Sequence, residues 1–210
     1  MANLDTRFGL KWVGSSLGVA TNANVVPMYI ASTYETALFV GDPVVVVAAG
    51  SNTAVEKGTT LGNYDIGTLP AIERASVLDD GTLSGVIMGF APVTQDSVPY
   101  SAADTEGIAY VCTDPFALWE IQADGAVAAS SVGLNAVGIY THSGDTNTGL
   151  SGLELDSGTT TAPSADASNP FTIERIKASP DNEPNATWNK VIVRINGSTR
   201  MPGNPGEIGI

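Results

Sequence analysis

The sequence predicts an all-β protein, an antiparallel β-barrel or sandwich with an extended N-terminal arm, and three observations carry that prediction. The first is residue usage. The 210 residues include 23 glycines and 12 prolines, with Thr, Ser, Val and Asn abundant, which favours short strands joined by turns over long helices. The second is charge poverty. Only 15% of residues are charged, against about 25% in an average soluble domain, so little material exists for solvated helix faces. The third is spacing. About nine short apolar runs, several of them alternating, are separated by turn-rich loops, the pattern of a sandwich or barrel.

Each element follows in order. Residues 1 to about 24 scatter Phe8, Leu10, Trp12 and Leu17 among Gly, Ser, Asn and Ala and sustain no period. They read as an extended arm whose large apolar side chains need a partner surface. "VVPMYIA" (25–31) is a short strand, and Pro27 suits an edge. The predicted organisation is therefore an arm and edge strand over 1–35, a barrel or sandwich over 36–200 and a C-terminal tail over 201–210.

"LFVGDPVVVVAAG" (38–50) is the strongest β signal. Gly41-Asp42-Pro43 makes a turn, and four consecutive valines imply burial on both faces or a tightly curved strand. A long polar excursion (51–70) leads to "LSGVIMGFAPV" (83–93), where Gly85 and Gly89 suggest a bulge or barrel bend. "GIAYVC" (107–112), "AVGIYTH" (136–142), "LSGLELD" (150–156), "FTIERIKA" (171–178) and "NKVIVRIN" (189–196) are further strands. In "FTIERI", Phe171, Ile173 and Arg175 alternate with Thr172, Glu174 and Ile176; in "KVIVRI", Val191, Val193 and Ile195 share a face.

"DPFALWEIQADG" (114–125) fits two templates. Asp114-Pro115 resembles a helix start, yet Trp119, Ile121 and Ala123 also alternate with Glu120 and Gln122. No second amphipathic helix accompanies it, so the strand reading is preferred, with Asp114-Pro115 as a turn. Asp124-Gly125 then reads as a hairpin corner toward "AVAA".

Charge narrows the partners. The net charge is −13, which repels nucleic acid and anionic membranes. Residues 35–170 hold 17 acids against Lys57 and Arg74, while both ends are near neutral. An acidic, solvated body with ends that touch something else is the implied arrangement. The single cysteine, Cys112, leaves no disulfide framework and sits in an apolar run as a buried thiol. The opening residues do not read as a signal peptide, no apolar stretch reaches the roughly 18 residues of a spanning helix, and the sequons at Asn185 and Asn196 have no secretory context. A soluble protein made in a cytoplasm is expected.

The search for chemistry returns little. His142, in "YTHSGD", is the lone histidine on which a catalytic triad would have to be built. Asp79-Asp80 lie in a turn sequence, "LDDGTL". "DTNTG" (145–149) begins like a calcium loop but lacks the later glycine and the distal glutamate. There is no nucleotide-binding glycine motif and no zinc spacing. No catalytic centre, cofactor or metal is expected.

The residues also resemble a family. "FGL" (8–10), "ALFVGDPV" (37–44), "GVIMGF" (85–90), "YVCTDPFALWEIQADG" (110–125), "GLSGLELD" (149–156) and "SPDNEPNATWNKVIVRIN" (179–196) run in order through most of the chain. Together they are similar to the capsid decoration (cement) proteins of tailed bacteriophages. The chain departs from that pattern at "LKWVGSSLG" (10–18), where related chains are richer in Pro and Gly. The resemblance implies a structural virion protein, made in the host cytoplasm. It would bind the outside of an icosahedral shell, often as trimers, and brace neighbouring major capsid protein subunits. In that setting the expected partner-binding residues are the arm's apolar anchors Phe8, Leu10 and Trp12 and the bases beside them, Arg7 and Lys11. Deleting residues 2–20 is expected to spare the β-domain and lower capsid occupancy. The rival readings are a carbohydrate-binding or host-adhesion β-domain, favoured by exposed Trp or Tyr on one face, and a β-rich hydrolase, disfavoured by the single His.

Overall fold

The computed structural model describes residues 3–18, 24–50, 67–77, 82–92, 96–158 and 161–197. The expected tail over 201–210, the Asp79-Asp80 turn and most of the polar excursion lie outside them. The described residues contain no α-helix. Their strands are β1 (Lys11–Ser15), β2 (Val25–Ile30), β3 (Pro43–Gly50), β4 (Pro70–Arg74), β5 (Gly85–Phe90), β6 (Gly107–Cys112), β7 (Ala117–Gln122), β8 (Asn135–Ala136), β9 (Gly138–Ile139), β10 (Glu154–Leu155), β11 (Phe171–Ile176) and β12 (Lys190–Ile195). The fold is all-β, as the sequence predicts.

Five strands close a barrel in the order β2-β4-β3-β5-β6. Its pairs are antiparallel except β2 with β4, which run parallel and meet at Tyr29↔Ala71. Residues 25–30, grouped by sequence with the arm, are thus a barrel strand, and Pro27 lies in the strand with this lightly paired seam. Alternation fills the interior: Met28 and Ile30, Val44, Ile72, Ile87, and Ala109 with Val111 form one cluster drawn from all five strands. The four valines divide between faces. Val44 and Val46 join that cluster, Val45 packs against a second and Val47 against a third. The register of β5 with β6 shifts between Ile87 and Gly89, the bulge that the glycines suggest.

A second sheet has the order β1-β7-β12-β11-β8. Trp119, Ile121, Phe171, Ile173, Val191, Val193 and Ile195 present its apolar face to Leu83, Val86 and Cys112, with Val45 and Met88 at the margin. The largest core therefore lies between this sheet and the outer surface of the barrel. Strand β9 pairs with β10 as a small ribbon.

The stretch from Asp114 is a strand, and its turn is visible in the hydrogen bonds. The Phe116 N–H donates to Asp114 Oδ1 at 2.9 Å, and the Ala117 N–H to the Asp114 carbonyl at 3.2 Å. This Asx turn competes with a helix start at the same residues. The hairpin expected at Asp124-Gly125 does not form, because β7 lies between β1 and β12. Asp124 instead draws in a remote segment: its Oδ1 accepts from the N–H and hydroxyl of Ser157 at 2.9 and 2.7 Å. The clean alternation expected in "FTIERI" is also interrupted. The β11–β12 register shifts between Ile173 and Arg175, so Ile176, not Arg175, packs on the core with Phe171 and Ile173.

Candidate partner-binding site

The N-terminal residues do not stand apart from the body. β1 pairs antiparallel with β7, with Trp12 opposite Trp119. Leu10 is 2% exposed and belongs to the main core. The expectation that these anchors cannot be buried locally is therefore corrected. Strand alternation turns Leu10 and Trp12 inward and Lys11 outward, and β7, far along the chain, supplies the surface.

Two amides pin the preceding segment. Gln122 accepts the Thr6 N–H at 2.9 Å and donates to the carbonyls of Leu4 and Trp188 at 2.8 and 3.1 Å. Asn3 donates to the carbonyls of Glu183 and Thr187, each at 3.1 Å, and accepts the Glu183 N–H at 2.6 Å. Gly9 then allows the chain to cross closely at φ +67°, where a Cβ would lie 2.5 Å from Ser151 Cβ. At the crossing, the Leu10 N–H donates to the Gly41 carbonyl at 3.0 Å.

Four of the five predicted partner-binding residues converge. Phe8, Leu10, Lys11 and Trp12, with Val40, Ile87, Met88 and Leu150, line a cavity of about 390 Å³. Arg7 is not among them. Its guanidinium pairs with Asp5 at 2.6 Å and approaches Glu154 at 3.7 Å, so it serves the body. Lys11 is exposed and makes no ion pair among the described residues.

Of the exposed part of this surface, sequence reading named Leu17 but missed Leu4 and Val13. Leu4 is 71% exposed, Val13 42% and Leu17 63%, three of the six exposed large apolar side chains among the described residues. Val13 falls where the β1–β7 register shifts. The strand alternation of "KWVGS" is the signal that could have found it. Within the second sheet, β1 is the outer strand, and among the described residues only β7 pairs with it, on one edge. Trp188, 37% exposed, holds a left-handed backbone at φ +60°, a costly conformation for a bulky residue. Its carbonyl and that of Leu4 share Gln122.

A buried polar cluster was also missed. Asp42 Oδ1 accepts from Ser151 Oγ at 2.5 Å and Tyr140 Oη at 3.1 Å, and Oδ2 accepts the Phe39 N–H at 2.9 Å. Burial pushes the Asp42 carboxyl above its ordinary range and the Tyr140 phenol well above its own. An acid inside "LFVGDPVVVV" was the available signal, because apolar flanks carry it inward. The cluster knits the 39–42 turn to the segments at 140 and 151.

His142 lies elsewhere. Its Nδ1 is 2.8 Å from Thr141 Oγ1 and 3.6 Å from Glu154 Oε2, while the Ser151 hydroxyl is committed to Asp42. In "DTNTG", Asp145 turns its carboxylate onto its own loop, accepting from the Asn147 N–H at 2.8 Å and Thr148 Oγ1 at 3.0 Å. Those bonds hold its pKa below the ordinary value. Among the described residues, no three His, Cys, Asp or Glu side chains group as metal ligands, and no helix is long and apolar enough to cross a membrane.

No protein-family model, curated protein or solved structure matches this chain.

Proposed function

We propose that this chain is a structural virion protein that binds the outside of an icosahedral phage capsid and cements neighbouring major capsid protein subunits as a homotrimer. The observation that carries the reading is the outer strand β1, with one edge unpaired among the described residues, an apolar cavity beneath it and Val13 and Leu17 exposed beside it. An open edge accepts a partner strand through main-chain hydrogen bonds, and a neighbouring cavity accepts its side chain. Unpaired Lys11 favours a partner with an acid nearby. Many copies on one shell need only modest affinity each. The acidic body faces away from nucleic acid and membrane in this arrangement.

The test mixes purified protein with undecorated capsids and images the particles. Intact protein should decorate the shell, and Val13→Asp with Leu17→Asp should lower occupancy at least tenfold while the circular dichroism is unchanged. Absence of decoration by the intact chain, at any concentration tried, overturns the proposal. Exposed Trp188 favours a second reading, a carbohydrate-binding or host-adhesion domain. Saturable glycan-array binding that Trp188→Ala abolishes, without capsid decoration, would select it.

A further inference from the structure

A cleft of about 620 Å³ opens where Tyr34, Arg74, Ser76, Val77, Ile139 and Tyr140 meet. It plays no part in the surface just described. The Arg74 guanidinium carbon sits over the Tyr140 ring, 4.3 Å from its centroid. The ring face attracts the cation without using the guanidinium's five N–H donors. Among the described residues, no side-chain hydrogen bond or ion pair engages those donors.

Among the described bases, the exposed Lys11 and Arg175 also lack an ion pair, whereas Arg74 lacks one while partly buried. Arg7, Lys177, Lys190 and Arg194 each reach a carboxylate, at 2.6, 2.9, 2.9 and 3.0 Å. Acids outnumber bases 22 to 9 in this chain, so an unpaired arginine in a cleft is not a product of scarce partners. Asp42 is near enough to feel the Arg74 charge, but no hydrogen bond or ion pair joins them, and its oxygens accept instead from Phe39, Tyr140 and Ser151.

The arginine is also held in place from both sides. Tyr34 Oη accepts its backbone N–H at 2.9 Å. Tyr140, its platform, is anchored through its hydroxyl to Asp42. A preorganised guanidinium loses little freedom on pairing. The remaining lining includes Ala75, Val77 and Ile139, so the cleft suits an apolar body. It offers one cation, with no second base among its lining residues, which matches a monoanion better than a phosphate dianion.

We propose that this cleft binds a carboxylate carried on an apolar body, the carboxylate pairing with Arg74 and the body resting against Val77 and Ile139. The carboxylate can belong to a free small acid or to the C-terminus of a polypeptide. Two probe pairs separate these sources: phenylacetate against phenylacetamide, and acetyl-Gly-Phe with a free against an amidated C-terminus. Each is titrated into the isotope-labelled full-length chain and followed by NMR. At least one acid should shift the Arg74 Nε–H, Val77 and Ile139 signals saturably, with its amide at least tenfold weaker. Arg74→Lys should weaken the response and Arg74→Gln should abolish it. Equal responses to acid and amide, no saturable response to either acid, or full retention in folded Arg74→Gln overturns the proposal. The acid–amide comparison on the natural chain decides even if the variants misfold. Capsid decoration is read separately, so failure here leaves the proposed function standing.

Discussion

Trp12 meets Trp119 edge to face, with ring centroids 5.6 Å apart and planes at 79°, and the two are also register partners across β1 and β7. The same contact thus fixes both the pairing of the outer strand and its seal over the core. Trp12→Ala removes an aromatic pair worth about 0.5–1.5 kcal/mol beyond area burial, plus part of the ~1.5–3 kcal/mol of a buried large side chain. A loss of about 2 kcal/mol is expected, read as a lower urea midpoint with unchanged slope.

Gly9 and Gly14 provide a matched pair. Gly9 has positive φ and a Cβ there collides with Ser151, whereas a Cβ at Gly14 meets nothing within 4 Å. Gly9→Ala should cost more than the ~1–2 kcal/mol of the left-handed backbone alone. Gly14→Ala should change stability by less than about 0.5 kcal/mol. Thermal denaturation of both variants checks the contrast.

Gln122→Ala should release the N-terminal segment without dismantling the barrel. It leaves the Thr6 N–H and the Leu4 and Trp188 carbonyls without their partner, at about 1–3 kcal/mol for a buried unsatisfied group. Amide exchange at Thr6 should accelerate about tenfold or more, while amides of β6 keep their protection. Deleting residues 2–20, expected from sequence to spare the β-domain, should instead destabilise the second sheet, since it removes β1 and takes Leu10 from the core.

Asp42 gives a pH signature of defined sign. Burial raises its folded pKa above the unfolded value of 3.8. Between those two values the unfolded chain has lost the proton and the folded chain keeps it. Its contribution is therefore complete below 3.8 and is lost as pH rises through the folded pKa. Exposed Asp145, Asp166 and Asp181 have lowered pKa values and act in the opposite sense. The stability of the natural chain minus that of Asp42→Asn, measured by urea melts across this window, should fall as pH rises.

Strand β7 was legible because Trp119 to Ala123 alternates apolar with polar residues and Asp-Pro punctuates its start. The end of β11 was not, because a bulge reverses the parity after Ile173 without a glycine or proline to announce it. Leu10 and Trp12 were read as unsatisfied because the strand that covers them, β7, is remote in sequence. The cavity still gathers Phe8, Leu10, Lys11 and Trp12, so their association was legible where their burial was not. The Asp42 cluster draws on residues 42, 140 and 151. Only tertiary structure brings such distant positions together.

The bonds from Asn3 reach Glu183 and Thr187, across 180 and 184 positions. On a ribosome adding about 5–20 residues per second, Asn3 emerges roughly 10 to 40 s before its last partner is made. The barrel strands all fall within 25–112, so the barrel can close while the rest is still being synthesised. The second sheet cannot, because it takes β1 from before the barrel and β7 and β12 from after it. Its outer strand has no partner until β7 is made, and Leu10 and Trp12 wait in solvent until then. A newly made chain passes through an interval in which those apolar residues are open to capture by neighbouring chains, and its yield should depend on concentration during synthesis more than afterwards.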